Sequence, residues 1–131
     1  MKIILSAVCL TAVLAVPAMA AEVCANGQVA IIRVSTLKAT GSRAGFDKAV
    51  QDQIAWYRGK GITTNKIVEA NVIEFNSGKP VVSAKEVLSI HYDPPAAMGK
   101  QPAQDDGYKA FVKEFRENSD ITTEKSVCLP R

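Results

Sequence analysis

The chain has 131 residues, a formal net charge of +3 at neutral pH and 47% hydrophobic residues. A chain of this length forms a single domain with a modest core. Its charges are interspersed, as in Lys113-Glu114 and Arg116-Glu117. This small, mixed charge argues against a nucleic-acid-binding protein and against electrostatic binding to an anionic membrane.

The first twenty residues have the features of a cleavable secretory signal peptide. Lys2 precedes an apolar run over residues 3–16, and the small residues Ala18-Met19-Ala20 follow it. The run has about fourteen residues, whereas a bilayer-spanning helix needs roughly 20, so no stable membrane anchor is predicted. A buried N-terminal helix, the alternative, would not require the small-residue ending. We predict cleavage after Ala20 or Ala21, export to the periplasm or the extracellular space, and a single α+β domain over residues 21–131.

Two of the three cysteines remain after cleavage, because Cys9 lies in the apolar run. In an oxidising compartment we expect Cys24 and Cys128 to form one disulfide, and the alternative is two separate thiols. The chain has one histidine and no closely spaced cysteine pair. Neither a metal site nor a resident cofactor is therefore predicted.

The residues after the signal peptide alternate between strand-like and helix-like patterns. Residues 27–38 are rich in Val, Ile and Thr, which favours a strand, and residues 46–57 carry apolar side chains at three- and four-residue steps, which favours an amphipathic helix. In chain order, we predict a strand at 27–38, a helix that begins near Gly41 or Ser42 and ends at Gly59-Lys60-Gly61, strands at 66–75 and 81–92 joined by a turn at 76–80, a loop at 93–107, a helix capped by Asp105-Asp106, and a strand at 121–129. A loop of this length in so small a domain is either a binding segment or an ordinary surface crossover.

The order strand–helix–strand–strand–helix–strand is that of the ferredoxin-like fold, in which two helices cover one face of a four-stranded antiparallel sheet. The first and third strands are central, and the last strand runs antiparallel beside the first. The end of the last strand, at Cys128, therefore lies beside the start of the first strand, at Cys24. Because the strand pattern does not depend on the cysteines, their predicted proximity supports the fold independently.

Alternation along the strands separates two faces of the sheet. One face is apolar throughout and is predicted to lie beneath the helices: Ala30, Ile32, Val34, Val68, Ala70, Val72, Leu88, Ile90 and Tyr92. The other face mixes apolar and polar residues: Val29, Ile31, Arg33, Ser35, Leu37, Ile67, Glu69, Asn71, Ile73, Phe75, Val87, Ser89 and His91. Apolar residues on a face that helices leave open indicate a partner or a ligand.

In element order and face pattern, and in the stretch IAWYRGKGI at residues 54–62, the chain resembles the dimeric α+β barrel superfamily. This superfamily includes antibiotic-biosynthesis-monooxygenase-like and stress-responsive barrel proteins. The resemblance implies a homodimer formed by the mixed faces of two sheets, and a pocket for a small apolar or aromatic ligand between each sheet and its helices. Members range from cofactor-free oxygenases to haem enzymes and to proteins without a known activity.

The candidate site consists of the polar residues of the mixed face: Arg33, Ser35, Glu69, Asn71, Ser89 and His91. His91 is the candidate catalytic base or acid, and Arg33 and Asn71 are candidates for stabilising an enolate-like anion. The other three are candidate ligand-binding residues. The alternative is a polar network, such as a salt bridge between Arg33 and Glu69, that lines a dimer interface.

Two other roles for His91 have less support. A nucleophile triad of Ser89, His91 and Asp93 has poor geometry, because alternate residues of one strand stand about 7 Å apart with parallel side chains. Axial haem ligation by His91, as in some relatives of this fold, has no second residue to support it. The sequence therefore predicts an exported small-ligand-binding or interaction protein. The alternative is a cofactor-independent monooxygenase-like enzyme, or a haem-binding relative, that uses a pocket around His91.

Overall fold

A computed structural model of the protein describes residues 24–130, so the predicted signal peptide lies outside the described residues. The described chain forms four strands and two helices in the predicted order. They are β1 (Gly27–Leu37), α1 (Arg43–Gly59), β2 (Lys66–Asn76), β3 (Lys79–Tyr92), α2 (Asp106–Asn118) and β4 (Ser119–Pro130). No helix within residues 24–130 is long and apolar enough to cross a membrane.

The strands form one antiparallel sheet in the order β2-β3-β1-β4, which confirms the ferredoxin-like fold and the central position of β1 and β3. The pairing of β1 with β4 places Val29 opposite Cys128. A disulfide joins Cys24 to Cys128, whose Cα atoms are 5.6 Å apart, as predicted. Gly27 lies against this bridge, where an added Cβ would be 2.5 Å from the Cys128 sulfur. The absence of a side chain at Gly27 therefore leaves room for the disulfide.

Both helices begin at the predicted capping residues. The Ser42 hydroxyl accepts a hydrogen bond from the Gly45 amide at 2.9 Å, and the Asp105 carboxylate accepts one from the Tyr108 amide at 3.0 Å. These bonds satisfy amides that have no partner inside the helix. Trp56 of α1 is buried against Phe111 of α2, with ring centroids 5.6 Å apart.

The connection between β2 and β3 is tighter than predicted. Strand pairing continues to Asn76 and Lys79, so that only Ser77 and Gly78 form the turn. Both turn residues have a positive φ, 51° and 78°, which is the conformation that a two-residue hairpin turn needs. The apolar side chains near the turn are exposed: Ile73, Phe75, Val81 and Val82.

The predicted assignment of the two sheet faces was wrong. Val87 packs in one core cluster with Phe46 and Val50 of α1, and Ile67 packs against side chains of both helices. The helices therefore cover the mixed face, which we call the helix-covered face. The apolar set, which we call the open face, lies on the other side: Ala30, Ile32, Val34, Val68, Ala70, Leu88, Ile90 and Tyr92.

The physical reason for this error is that alternation defines two sets of side chains without saying which set faces the helices. Here the helices bring aromatic rings that fill much of the core themselves, such as Phe46, Tyr57 and Phe111. The sheet beneath them can therefore carry polar residues. The dimer contact expected through Ile31, Ile67, Ile73, Phe75 and Val87 is not available as one surface. Ile31, Ile67 and Val87 lie beneath the helices, whereas Ile73 and Phe75 are exposed near the turn.

Candidate functional site

A cavity of about 460 Å³ lies between the helices and the helix-covered face of the sheet. Its floor consists of β1 and β3, and its roof consists of side chains of α1 and α2. The roof is largely aromatic, with Phe46 and Tyr57 from α1 and Tyr108, Phe111 and Phe115 from α2. This volume and this largely apolar lining are typical of a small-molecule site.

Four of the six candidate residues line the cavity: Arg33, Ser35, Ser89 and His91. Arg33 and Ser89 are direct partners in the pairing of β1 with β3, so their side chains point to the same face. Ser35 is two residues after Arg33 on β1, and His91 is two residues after Ser89 on β3. Because the strands are antiparallel, these two residues lie on opposite sides of the Arg33–Ser89 pair. The strand register thus groups these polar side chains on one floor.

Glu69 and Asn71 do not line this cavity, although they are on the same face of the sheet. Both contact Arg43 of α1, which donates a hydrogen bond to the Asn71 side-chain oxygen at 2.9 Å and lies 3.5 Å from the Glu69 carboxylate. Burial and the neighbouring Asp47 carboxylate raise the pKa of Glu69 to about 7. The predicted salt bridge between Arg33 and Glu69 does not form. Arg33 pairs instead with Glu124 of β4 at 2.5 Å.

His91 is buried, with 3% of its surface exposed, and its ring centroid lies 5.4 Å from that of Tyr57. Its Nε2 atom is 3.0 Å from the side-chain nitrogen of Asn65. The orientation of that amide follows from Arg58, whose guanidinium can only donate and contacts the Asn65 oxygen at 2.5 Å. The Asn65 nitrogen must therefore donate to Nε2, so that His91 carries its proton on Nδ1.

The surroundings of His91 keep its imidazole neutral. Burial, together with the positive charges of Arg33 and Arg58, lowers the pKa of His91 to about 4. At neutral pH the ring is therefore a hydrogen-bond donor through Nδ1, and its Nε2 lone pair is occupied by Asn65. Within residues 24–130 Nδ1 has no hydrogen-bond partner, yet no polar side-chain atom among these residues is both sealed and unpaired. We therefore infer that Nδ1 is accessible from the cavity that His91 lines.

The loop after β3 forms one wall of the cavity. Pro94, Gln101 and Gln104 line it, so this segment contributes to the candidate site. The start of the loop is held by Asp93, whose carboxylate accepts a hydrogen bond from the Gln28 amide at 2.7 Å. Together with a backbone bond from the Asp93 amide to the Val29 carbonyl, this contact fixes the loop to β1.

Sequence reasoning missed several residues of the site. Tyr57 and Phe111 belong to the apolar stripes of their helices, so only the packing shows that they also line a cavity. Asn65 and Arg58 position the His91 ring, but they lie in and beside a short connection with no pattern of its own. Their role depends on a contact between the end of α1 and β3, which the sequence does not reveal.

Comparison with known protein families, with curated proteins and with solved structures finds no match for this chain. The ferredoxin-like architecture therefore follows from the element order and the sheet topology alone. A fold of this kind hosts many unrelated functions, so the function has to be argued from the cavity.

Proposed function

We propose that this protein is an exported binding protein of the dimeric α+β barrel type that holds a small, partly aromatic molecule in the cavity between its helices and its sheet. The observation that carries the proposal is the floor of the cavity, where polar side chains face an aromatic roof. Export is supported by the leader-like sequence at residues 1–20 and by the Cys24–Cys128 disulfide, since such bonds persist in oxidising compartments.

The polar groups of the floor offer hydrogen bonds that the protein itself does not use. Within residues 24–130 the hydroxyls of Ser35 and Ser89 and Nδ1 of His91 form no hydrogen bond to a protein group, and no polar side-chain atom there is both sealed and unpaired. These groups are therefore reached from the cavity, where water can satisfy them. A ligand that replaces this water and keeps the hydrogen bonds binds at little cost, whereas a ligand that leaves one of these groups unpaired loses about 1–3 kcal/mol.

The geometry favours binding over the oxygenase-type enzyme with His91 as base. A general base needs a free lone pair that faces its substrate, whereas Nε2 of His91 accepts from Asn65 and Nδ1 carries the proton. Haem ligation needs the same free lone pair, so the His91 environment does not fit an axial ligand. Asn71, the other candidate for anion stabilisation, is bound to Arg43 outside the cavity.

The test is ligand binding by a variant whose cavity is filled. Ser89→Phe places a ring on the floor, and Ser126→Phe makes the same change on the helix-covered face outside the cavity lining. Neutral aromatic probes such as naphthalene-1-methanol should raise the melting temperature of the wild type and of Ser126→Phe but not that of Ser89→Phe. Circular dichroism confirms that each variant is folded. Probes that stabilise none of the three proteins would refute a ligand-binding cavity.

We further propose that two copies pair through the open face. The apolar residues of the open face lie on three neighbouring strands about 4.8 Å apart and seven residues long, so they present roughly 330 Å². Apolar patches of this size are often functional. Lys66 lies at one end of the face and Glu86 at the other, according to the strand register. A two-fold axis that reverses the strand direction would place the lysine end of one copy against the glutamate end of its partner. These two ends are therefore complementary, and Lys125 of β4, which pairs with Ile32, adds a charge at the edge of the face.

Sedimentation velocity tests this interface. Ile90→Lys at the centre of the open face should convert a dimer to a monomer, because it would bury a charge without a partner. Thr64→Lys, which adds the same charge at an exposed loop position, should leave the dimer intact. A wild-type protein that sediments as a monomer at high concentration would refute the pairing. A dimer that persists in Ile90→Lys would exclude this face.

A further inference from the structure

The polar groups on the cavity floor share one chemical property: those without a protein partner can donate hydrogen bonds. Arg33 uses Nε for Glu124, and within residues 24–130 its two terminal nitrogens have no hydrogen-bond partner. Nδ1 of His91 is a donor because Asn65 occupies Nε2. The hydroxyls of Ser35 and Ser89 can donate as well. A ligand that matches this floor must therefore bring acceptors, and preferably a negative charge.

The helix side of the cavity is largely aromatic, although Gln53 and Arg116 also line it. Tyr57, Tyr108 and Phe111 form an aromatic wall above the floor. The Tyr108 ring packs edge-to-face against both Trp56 and Phe111. Such a wall accommodates a flat unsaturated body better than a flexible polar chain. The cavity therefore has a donor-rich floor on one side and an aromatic surface on the other.

We propose that the ligand is a small aromatic carboxylic acid, with its carboxylate bound by Arg33 and His91 on the sheet and its ring packed against Tyr57 and Phe111. Arg33 and His91 are diagonal neighbours on adjacent strands of the same face. Such neighbours are about 7–8 Å apart, which is a separation that a long side chain such as arginine can bridge. A guanidinium binds a carboxylate through two parallel N–H groups, and its terminal nitrogens are the groups left available here. This inference rests on the proposed ligand-binding function and specifies the class of ligand.

Glu124 allows a second test of the proposal. Its carboxylate competes with the ligand for Arg33, because it is half exposed and contacts the guanidinium at 2.5 Å. Removing the Glu124 charge should therefore strengthen binding of an acid, whereas removing the Arg33 charge should weaken it. A purely structural role of the pair would make both changes harmful or neutral.

The experiment uses the exported, disulfide-bonded protein and isothermal titration calorimetry with two probes of equal size, 1-naphthoate and the neutral 1-naphthamide. The wild type should bind naphthoate at least tenfold more tightly than naphthamide. Arg33→Gln should abolish that preference without weakening naphthamide, and Glu124→Gln should improve naphthoate binding several-fold. Arg43→Gln, an arginine outside the cavity lining, serves as the matched control and should preserve the preference.

A second measurement does not depend on any variant. The chain has a single histidine, so NMR titration reports on His91 directly. Bound naphthoate should raise the pKa of His91, because a carboxylate beside the ring favours its charged form, and naphthamide should not. Equal affinity for the two probes, together with an unchanged His91 pKa, would refute the recognition of a carboxylate. The proposal of a ligand-binding cavity would still stand. Failure of both probes to bind, together with the naphthalene-1-methanol test above, would overturn the binding function itself.

Discussion

Burial of the only histidine predicts a specific dependence of stability on pH. His91 has a pKa of about 4 in the folded protein, because burial and the charges of Arg33 and Arg58 disfavour its protonated form. In the unfolded chain its pKa returns to about 6.5. Below that pH the unfolded state binds a proton that the folded state does not, so the free energy of unfolding falls as the pH falls. The effect is absent above pH 7 and complete below the folded pKa.

The magnitude follows from the two pKa values. Proton linkage gives a loss of about 2 kcal/mol at pH 5 and about 3 kcal/mol at pH 4, relative to pH 7.5. Urea denaturation of the wild type and of His91→Gln at each pH measures it, because the difference between the two proteins cancels the contribution of the carboxylates. As the pH is lowered, the free energy of unfolding of His91→Gln should rise by these amounts relative to that of the wild type. A difference that stays constant from pH 7.5 to 4 would show that His91 titrates normally, and the argument for a neutral, anchored ring would fail.

Three further changes test the rest of the structure. The double variant Cys24→Ser/Cys128→Ser should lose up to about 4.7 kcal/mol in the free energy of unfolding, since the bridge closes a loop of about a hundred residues. A reductant should destabilise the wild type but not this variant. Equal stability of the wild type with and without reductant would refute the bridge. The pKa of Glu69 is raised to about 7, so this residue stabilises the fold fully below pH 4.5 and progressively less as the pH rises through 7. The wild type should therefore lose stability relative to Glu69→Gln over that interval. Parallel dependence of the two stabilities on pH would contradict this. Asp105→Ala removes both the hydrogen-bond acceptor of the Trp56 indole and the N-terminal cap of α2. It should therefore lower the melting temperature and shift the tryptophan fluorescence emission to the red. Unchanged emission would contradict the Asp105–Trp56 contact.

The fold was predictable because each local signal agreed with the others. The caps at Ser42 and Asp105 were identified correctly from their residue types. The disulfide between Cys24 and Cys128 was expected from the two remaining cysteines and the predicted export. The strand pattern independently placed β4 antiparallel beside β1, and the sheet has that order. The two-residue turn at Ser77 and Gly78 was missed because five polar or flexible residues follow one another there, and strand pairing continues farther into them than their composition indicates.

The candidate site was predictable only in part. Alternation correctly placed Arg33, Ser89 and His91 on one face, and the strand register then groups them on the cavity floor. It could not separate them from Glu69 and Asn71, because all of these positions have the same parity. Those two residues are engaged by Arg43, and a contact between a helix and an edge strand depends on how far the helix reaches across the sheet.

The inverted face assignment explains why a cavity exists here at all. In a ferredoxin-like fold the right-handed crossovers fix the side of the sheet on which the helices lie, but they do not fix whether odd or even residues point to that side. Choosing the more apolar face assumes that a core must be lined equally from both layers. In this protein the aromatic side chains of α1 and α2 supply the apolar layer, and the sheet contributes buried polar residues such as Ser35 and His91. A polar face beneath aromatic helices cannot close into a dry core without leaving donors unsatisfied, so it remains separated from them by a cavity that a ligand with acceptor groups can fill.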